Sequence, residues 1–402
     1  MTSDTGIILD KHPEYPIQLA FQTFYHSYAH SHEVSPQQKK AAQCISHCKT
    51  GELGYILVFC PECGYKRLRS CSCNSRNCPC CQAPLEHKWV MERNAELIPG
   101  IAYYHVVFTL PHELNPLILD NPEALYKLLF SAASDTLITL CRDRKYMGAT
   151  PGIVAVLHTW GQKLNFHPHL HICLSGGGLT DTGRFVETKH KGFIIPRRVV
   201  GRIFRGKFME GLKTLYEKKL LCLSVHLSHL VDSVAWGKYV DHLYTITWIP
   251  FLKETFNGKG NAIKYLARYA YRTAISNSRV LEVNDEAVFL SYTDYADHNQ
   301  KKELRLSGEE FIGRFLLHIL PQGVHRVRSS GFLANCVKAK RLTLIGKLRD
   351  APYKGNPTKG KSMAEILMKI YGTDICHCPV CQSRIHMTRL KRPPTLMIAK
   401  AV

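Results

Sequence analysis

The sequence predicts an α+β protein: an antiparallel sheet with helices packed on it, preceded by a cysteine-rich metal module. Three observations carry this. Two short apolar strands, Ile153 to His158 and His169 to Leu174, flank a polar turn, the pattern of an antiparallel pair. Helical patterns precede and follow them, which gives helices a sheet to cover. Nine of the sixteen cysteines fall between Cys44 and Cys81.

In chain order, a helical lead-in from Ile17 to His30 opens onto the cysteine module. A strand follows at Tyr103 to Leu110, closed by Pro111, then a helical pattern from Pro122 to Cys141. The strand pair ends at Gly176-Gly177-Gly178. A basic helix-like stretch runs from Pro196 to Lys219, and a well-patterned helix from Asn261 to Thr273. Composition shifts after Leu333. Between Asn335 and Lys361 there are eight Lys/Arg, one acid (Asp350), two prolines and three glycines, which reads as a basic, partly flexible arm. Three domains result: 1–95, helical and zinc-binding; 96–334, the sheet and its helices; 335–402, the basic arm with a cysteine cluster. No internal repeat is visible.

The 402 residues carry 53 Lys+Arg against 32 Asp+Glu, a net charge of +21 that suits a polyanionic partner such as nucleic acid. With 45% hydrophobic residues, wholesale disorder is excluded. No apolar run approaches the roughly 18 residues of a membrane span. Asp4, Asp10 and Glu14 near the start argue against a signal peptide. A reducing compartment, bacterial-cytosol-like or nuclear, is therefore expected, where cysteines bind metal rather than pair as disulfides.

Cys60-Pro-Glu-Cys63 and Cys78-Pro-Cys-Cys81 have the spacing that aims two sulfurs at one tetrahedral ion, and together they would close one structural zinc site. Cys48 and Cys73, with Cys44, Cys71 or His47, could complete a second, while Cys71 and Cys80 read better as spare thiols. Cys376, Cys378 and Cys381, near His377 and His386, make one further knuckle, half a zinc site or a reduced surface cluster.

His169 and His171 alternate with Leu170 and Ile172, so both imidazoles face one side of a strand, roughly 7 Å apart. His158, at the end of the neighbouring strand, can supply a third ligand; Gln162 and His105 are alternatives. Three neutral imidazoles leave coordination positions open, as a catalytic ion requires. The plainer reading is three polar strand histidines. His167, just before Pro168, reads as a loop residue and at most a substrate contact. On the later helix, Tyr265 and Tyr269 are four apart and share a face, beside a basic row of Lys264, Arg268 and Arg272 suited to a phosphate backbone. A core-facing aromatic pair with solvated charges is the alternative.

These motifs together resemble the HUH-type single-strand endonucleases, and more widely the rolling-circle insertion-sequence transposases of the "ninety-one" type. The resemblance spans nearly the whole chain. Cys48, Cys60-Pro-Glu-Cys63-Gly and Cys73 through Gln82 are similar to the family's zinc module. Phe108-Thr-Leu-Pro-His112, Thr159-Trp-Gly-Gln162 through His171, and Tyr265-Leu-Ala-Arg-Tyr269 with Ala274-Ile-Ser-Asn277 are similar to its central signatures. Phe311-Ile-Gly-Arg314, His318-Ile-Leu-Pro321 and His325-Arg-Val-Arg328 are similar to its later ones.

The resemblance implies an HUH-type central antiparallel sheet and a DNA-cutting and rejoining enzyme. His169, His171 and His158 would hold Mg²⁺ or Mn²⁺ on the scissile phosphate, and Tyr269 or Tyr265 would attack to leave a 5′-phosphotyrosyl link. Structural Zn²⁺ would sit in the cysteine module. Partners would be single-stranded DNA at transposon ends and target DNA, with host replication proteins beyond them and no membrane. The location would be a bacterial cytoplasm, near the nucleoid. A replication initiator or relaxase shares the nicking chemistry; a non-enzymatic zinc-finger DNA-binding protein explains the charge and the cysteines but leaves the histidines and tyrosines idle.

Overall fold

The computed structural model describes residues 7–10, 14–188, 195–254, 261–271, 274–295 and 297–391. These form two compact units, each assembled from separate stretches of chain: 1–88 with 271–319 and 358–402, and 89–270 with 320–357. Helices pack on predominantly antiparallel sheets in both, so the fold is α+β as the patterning predicts.

The unit centred on 89–270 is built on a six-stranded antiparallel sheet. Its strands run in the order Val327–Gly331, Thr150–Trp160, Phe166–Leu179, Tyr103–Thr109 and Phe251–Glu254, and Phe185–Glu187 pairs with the far end of Phe166–Leu179. Side-chain alternation gives the sheet two different faces. Val106, Phe108, Ile153, Ala155, Leu157, Leu170, Ile172 and Leu174 enter one core with helices Pro122–Arg142 and Arg197–Glu217. Pro122–Arg142 is long and apolar enough to cross a membrane by composition, but its Leu125, Leu129, Phe130 and Leu137 are buried in this core. Helix Asn261–Ala270 packs on the two central strands; its Ile263 and Leu266 are buried without joining that core, which puts it over the opposite, histidine-bearing face.

The stretch expected as a flexible arm holds a helix, Lys338–Leu348. Leu342 and Ile345, three apart, are buried and dock it among the lysines. Lys338 Nζ meets Glu96 Oε1 at 2.6 Å, and Arg341 Nη1 donates to the Gly331 carbonyl at 2.9 Å.

In the other unit, helix Pro16–Ser31 buries Ile17, Ala20, Phe21 and Phe24. It packs on helix Gly308–Leu316, where the Phe21 and Phe315 rings meet edge to face at 5.0 Å. Gly308 allows the approach, since a Cβ there would lie 2.1 Å from the Phe24 ring. A three-stranded sheet (Gln300–Ser307, Ala287–Asp294, Val280–Val283) leads into that second helix. A four-stranded sheet carries the cysteines, in the order Ile8–Leu9, Lys66–Ser70, Tyr55–Phe59, His386–Leu390.

Candidate functional site

The strands Thr150–Trp160 and Phe166–Leu179 place His158 directly opposite His169. His171, two residues along, projects from the same face. His158 Nδ1 lies 2.8 Å from His169 Nε2, and His169 Nε2 lies 3.1 Å from His171 Nε2. All three imidazoles are buried, and their nitrogens gather within 4.8 Å of one another.

A hydrogen bond to a carbonyl fixes the tautomer of His169 and turns its Nε2 lone pair toward the other two rings. His169 Nδ1 lies 2.6 Å from the His167 carbonyl oxygen. A carbonyl only accepts, so Nδ1 carries the proton and donates it, leaving the Nε2 lone pair facing the other two rings. That nitrogen has two nitrogen neighbours and can accept from only one of them. A cation among the three satisfies all of them, and the donor set therefore fits a divalent ion. Burial keeps the rings neutral: it holds His169 down to about 4 and His171 well below the usual imidazole range. His105, from the next strand, is also lowered to about 4 by burial. Its Nε2 sits 2.9 Å from His171 Nδ1, and the two rings stack at 5.2 Å. His105 thus meets His171 on the nitrogen turned away from the group. It stands behind His171, outside the group of His158, His169 and His171. Gln162 sits in the turn between the two strands.

Tyr265 and Tyr269 lie one turn apart on helix Asn261–Ala270, which packs on the strands that carry the three histidines. The side chains of Tyr265, Arg268 and Tyr269, and the whole of Arg272, lie outside the described residues; Lys264 is exposed. The C-terminal end of the helix is held by Arg326, a buried residue that the charge pattern alone does not single out. Its Nη1 reaches the Ala270 carbonyl at 3.4 Å, its own carbonyl accepts from Leu157 N at 2.8 Å, and its guanidinium lies 6.0 Å from the Trp160 ring. Trp160 in turn stands edge-on to His158, with centroids 3.7 Å apart. The fold thus links the tyrosine helix to the histidine strand through one cation.

The cysteines group differently from their order in sequence. Cys48, Cys73, Cys78 and Cys81 converge, with all four sulfurs within 4.8 Å of one another and Cys73 Sγ 3.7 Å from Cys81 Sγ. Cys60 and Cys63 converge instead with Cys378 and Cys381. This corrects the expectation that Cys60–Cys63 and Cys78–Cys81 close over one ion. The hairpin of Tyr55–Phe59 and Lys66–Ser70 points its knuckle toward the 376–385 loop, and the helix end at His47 delivers Cys48 to the other. Cys376, Cys44, Cys71 and Cys80 belong to neither group. His47 pairs with Glu52. In the first group, hydrogen bonding from Cys73, Cys78, Cys80 and Cys81 drives the Cys48 thiol far down against the opposing effect of burial. Backbone Ser75 N and Cys80 N also donate to Cys73 Sγ and Cys78 Sγ, each at 3.4 Å. Four sulfurs with amide donors behind them suit structural zinc.

A family model described as a transposase zinc-binding domain matches residues 20–110, and one described as a putative transposase matches residues 152–341. The chain is 36% identical over 366 residues to a putative transposase of Sinorhizobium fredii, spanning 90% of this chain and 91% of that protein. It is 29% identical over 346 residues to the transposase for insertion sequence element IS801 of Pseudomonas savastanoi pv. phaseolicola, spanning 85% and 81%. Among solved structures, a copper-bound conjugative relaxase in complex with its origin DNA aligns over 43% of this chain and 65% of its own, at 14% identity and a TM-score of 0.24.

Proposed function

Since this chain belongs to the insertion-sequence transposases of the IS91/IS801 type, we propose that it nicks and rejoins single-stranded DNA in rolling-circle transposition, through a 5′-phosphotyrosyl intermediate. The observation that carries the reading is the buried group of His158, His169 and His171 beneath the helix bearing Tyr265 and Tyr269. When bound there, Mn²⁺ or Mg²⁺ polarises the scissile phosphate and stabilises the charge that develops in attack. An all-imidazole set favours Mn²⁺ over Mg²⁺, which prefers oxygen.

The chain's own residues do the rest. A tyrosine hydroxyl, with a pKa near 10, is a weak nucleophile at neutral pH and acts only on a phosphate that is already polarised and aligned. Its oxygen bonds to phosphorus, the bond to the 3′ oxygen breaks, and the 3′-hydroxyl leaves with a proton. The second tyrosine would repeat the step on the other strand while the first link persists. A free 3′-hydroxyl would then attack the phosphotyrosyl phosphorus, forming the new phosphodiester and returning the tyrosine its proton, which moves the strand from donor to target. Lys264, Arg268 and Arg272 hold the backbone in register. The protein would work in the bacterial cytoplasm on transposon ends and target DNA, with host replication proteins supplying the displaced strand. By role, the same reading assigns 1–95 as metal module, 96–334 as nicking domain and 335–402 as basic tail, although the compact units divide the chain differently and split that last stretch at 357. The direct test is a labelled single strand carrying an element end, incubated with the protein and Mn²⁺. A covalent adduct at the 5′ side of the break supports the reading; binding without cleavage leaves a non-enzymatic DNA-binding protein in its place.

Two expectations follow here. His105→Ala should weaken divalent-ion affinity by roughly 10–100-fold, the usual effect of losing the group behind a ligand histidine. Calorimetric titration with Mn²⁺ would show it. Nicking should recover at high Mn²⁺, and an unchanged affinity would reduce His105 to packing. The second concerns charge. Lys340, Lys347 and Lys354 are exposed in the basic stretch. Their joint replacement by alanine should lower the slope of log affinity against log salt by about 0.7 for each single-strand phosphate that is no longer neutralised. An identical slope in the triple variant would make them a solvated surface.

A further inference from the structure

The second cysteine group joins residues 315 and 321 positions apart. Its two Cys-Pro-x-Cys turns have the same build. Gly64 N donates to Cys60 O and Gln382 N to Cys378 O, both at 3.0 Å; Cys60 N donates to Tyr65 O at 2.9 Å and Cys378 N to Ser383 O at 2.8 Å. The residue after each turn is left-handed, with φ of 73° at Gly64 and 61° at Gln382. A glutamine rarely adopts that conformation, and here it reproduces in the later loop the turn that glycine makes in the earlier one.

The sulfurs are spaced for a metal. Cys60 Sγ and Cys381 Sγ lie 3.5 Å apart, as do Cys63 Sγ and Cys378 Sγ, and all four fall within 4.8 Å. Zinc–sulfur bonds of about 2.3 Å in a tetrahedron put sulfurs roughly 3.8 Å apart. Donors stand behind them: Ser383 Oγ is 3.0 Å from both Cys60 Sγ and Cys381 Sγ, and Val380 N donates to Cys378 Sγ at 3.4 Å.

Burial does not account for the order of this segment. Strand His386–Leu390 pairs with Tyr55–Phe59 along its whole length, yet four of its five side chains are exposed and Leu390 is half-buried. Among the described residues from 358 onward, Thr358, Ile366 and Cys378 are buried. Helix Met363–Tyr371 adds a 2.6 Å hydrogen bond between Tyr371 Oη and His87 Nδ1. One isoleucine and a short edge ladder do not offset the entropy of ordering such a stretch.

We propose that Cys60, Cys63, Cys378 and Cys381 hold a second structural zinc ion, separate from that of the Cys48 group, which clasps residues 358–391 onto the edge of the four-stranded sheet. On binding, the four thiols release their protons to solvent and the sulfurs become thiolates; nothing is oxidised or reduced. Cys376, exposed and outside the group, takes no part.

The test uses the full-length chain with His169→Ala and His171→Ala, so that the histidine group adds no ion. Metal analysis should find two zinc ions per chain, one after Cys378→Ser with Cys381→Ser, and still two after Cys376→Ser. Trypsin should cut at Arg384 and Arg389 in the double serine variant and spare them in its parent. A parent holding one zinc, a double variant keeping two, or a loss on Cys376→Ser would overturn the proposal. If the double variant does not fold, stepwise chelation of the parent decides. Cleavage at Arg384 and Arg389 should appear with the first zinc released, because Cys381 is exposed whereas Cys48 is buried. Cleavage independent of chelation would overturn the clasp.

Discussion

Replacing His171 with alanine is expected to leave a protein that binds single-stranded DNA and does not nick it. His171 Nε2 is one of three nitrogens that meet in a buried space, with His105 behind it and His169 beside it. Removing it takes away one of three donors and the group that His105 orients. Charge stabilisation by a bound divalent ion contributes several kcal/mol, so the loss should lower the nicking rate by roughly 10²–10⁴-fold. Binding should change less than about threefold, because phosphate contacts to basic side chains carry most of the affinity. His169→Ala should behave alike. Single-turnover cleavage across a Mn²⁺ series, with filter binding on the same preparations and a melting curve to establish folding, would measure all three quantities. Near-normal cleavage by either variant would remove the histidine group from the chemistry.

The second large effect concerns the tyrosines. Helix Asn261–Ala270 sets positions 265 and 269 one turn apart, over strands that present the histidines. A single cut needs one nucleophile, and strand transfer needs another while the first link persists. Tyr265→Phe and Tyr269→Phe should therefore each abolish complete transposition. At least one single variant should still form a covalent adduct with a short substrate, and the double variant none. Tyr269 is expected to make the first attack. Denaturing gels of labelled oligonucleotide, followed by mass mapping of the modified peptide, would read this directly. An adduct in the double variant would move the nucleophile elsewhere, with Tyr271 the nearest alternative, and leave this helix as a docking element. Loss of Arg326 offers a contrast. Its guanidinium holds the helix end at Ala270, so Arg326→Met should slow both transesterifications together and distinguish neither tyrosine.

Much of the unit that carries the histidines was legible because local pattern and burial coincide there. Leu157, Leu170 and Ile172 enter the core, and strict alternation then forces His158, His169 and His171 to the other face. Helix Asn261–Ala270 was legible for the same reason, through Ile263 and Leu266. The cysteines were not. Knuckles adjacent in sequence suggest a shared ion, but the direction in which a hairpin aims its turn is a tertiary fact, and no local pattern ties Cys60 to Cys381. The role of His105 depends on strand register, which puts it opposite Cys173 and diagonal to His171. The basic stretch misled through composition. Its lysines suggested an arm, while the spacing of Leu342 and Ile345 was the signal for a docked helix.

The long separation between paired strands sets a timetable for biosynthesis. Tyr55–Phe59 leaves the ribosome more than 300 residues ahead of His386–Leu390, its partner along one edge. At roughly 5–20 residues per second, that interval is on the order of tens of seconds. Through all of it the nascent chain carries an open β edge, a template for wrong pairing with any extended segment nearby. Lys66, exposed on the neighbouring strand, places a positive charge beside that edge, while Arg67 and Arg69 pair with Asp10. Any product that stops short of His386, through a premature stop or a frameshift, keeps the edge exposed and becomes a substrate for chaperones and proteases. Only chains translated through the late segment would therefore accumulate as intact protein.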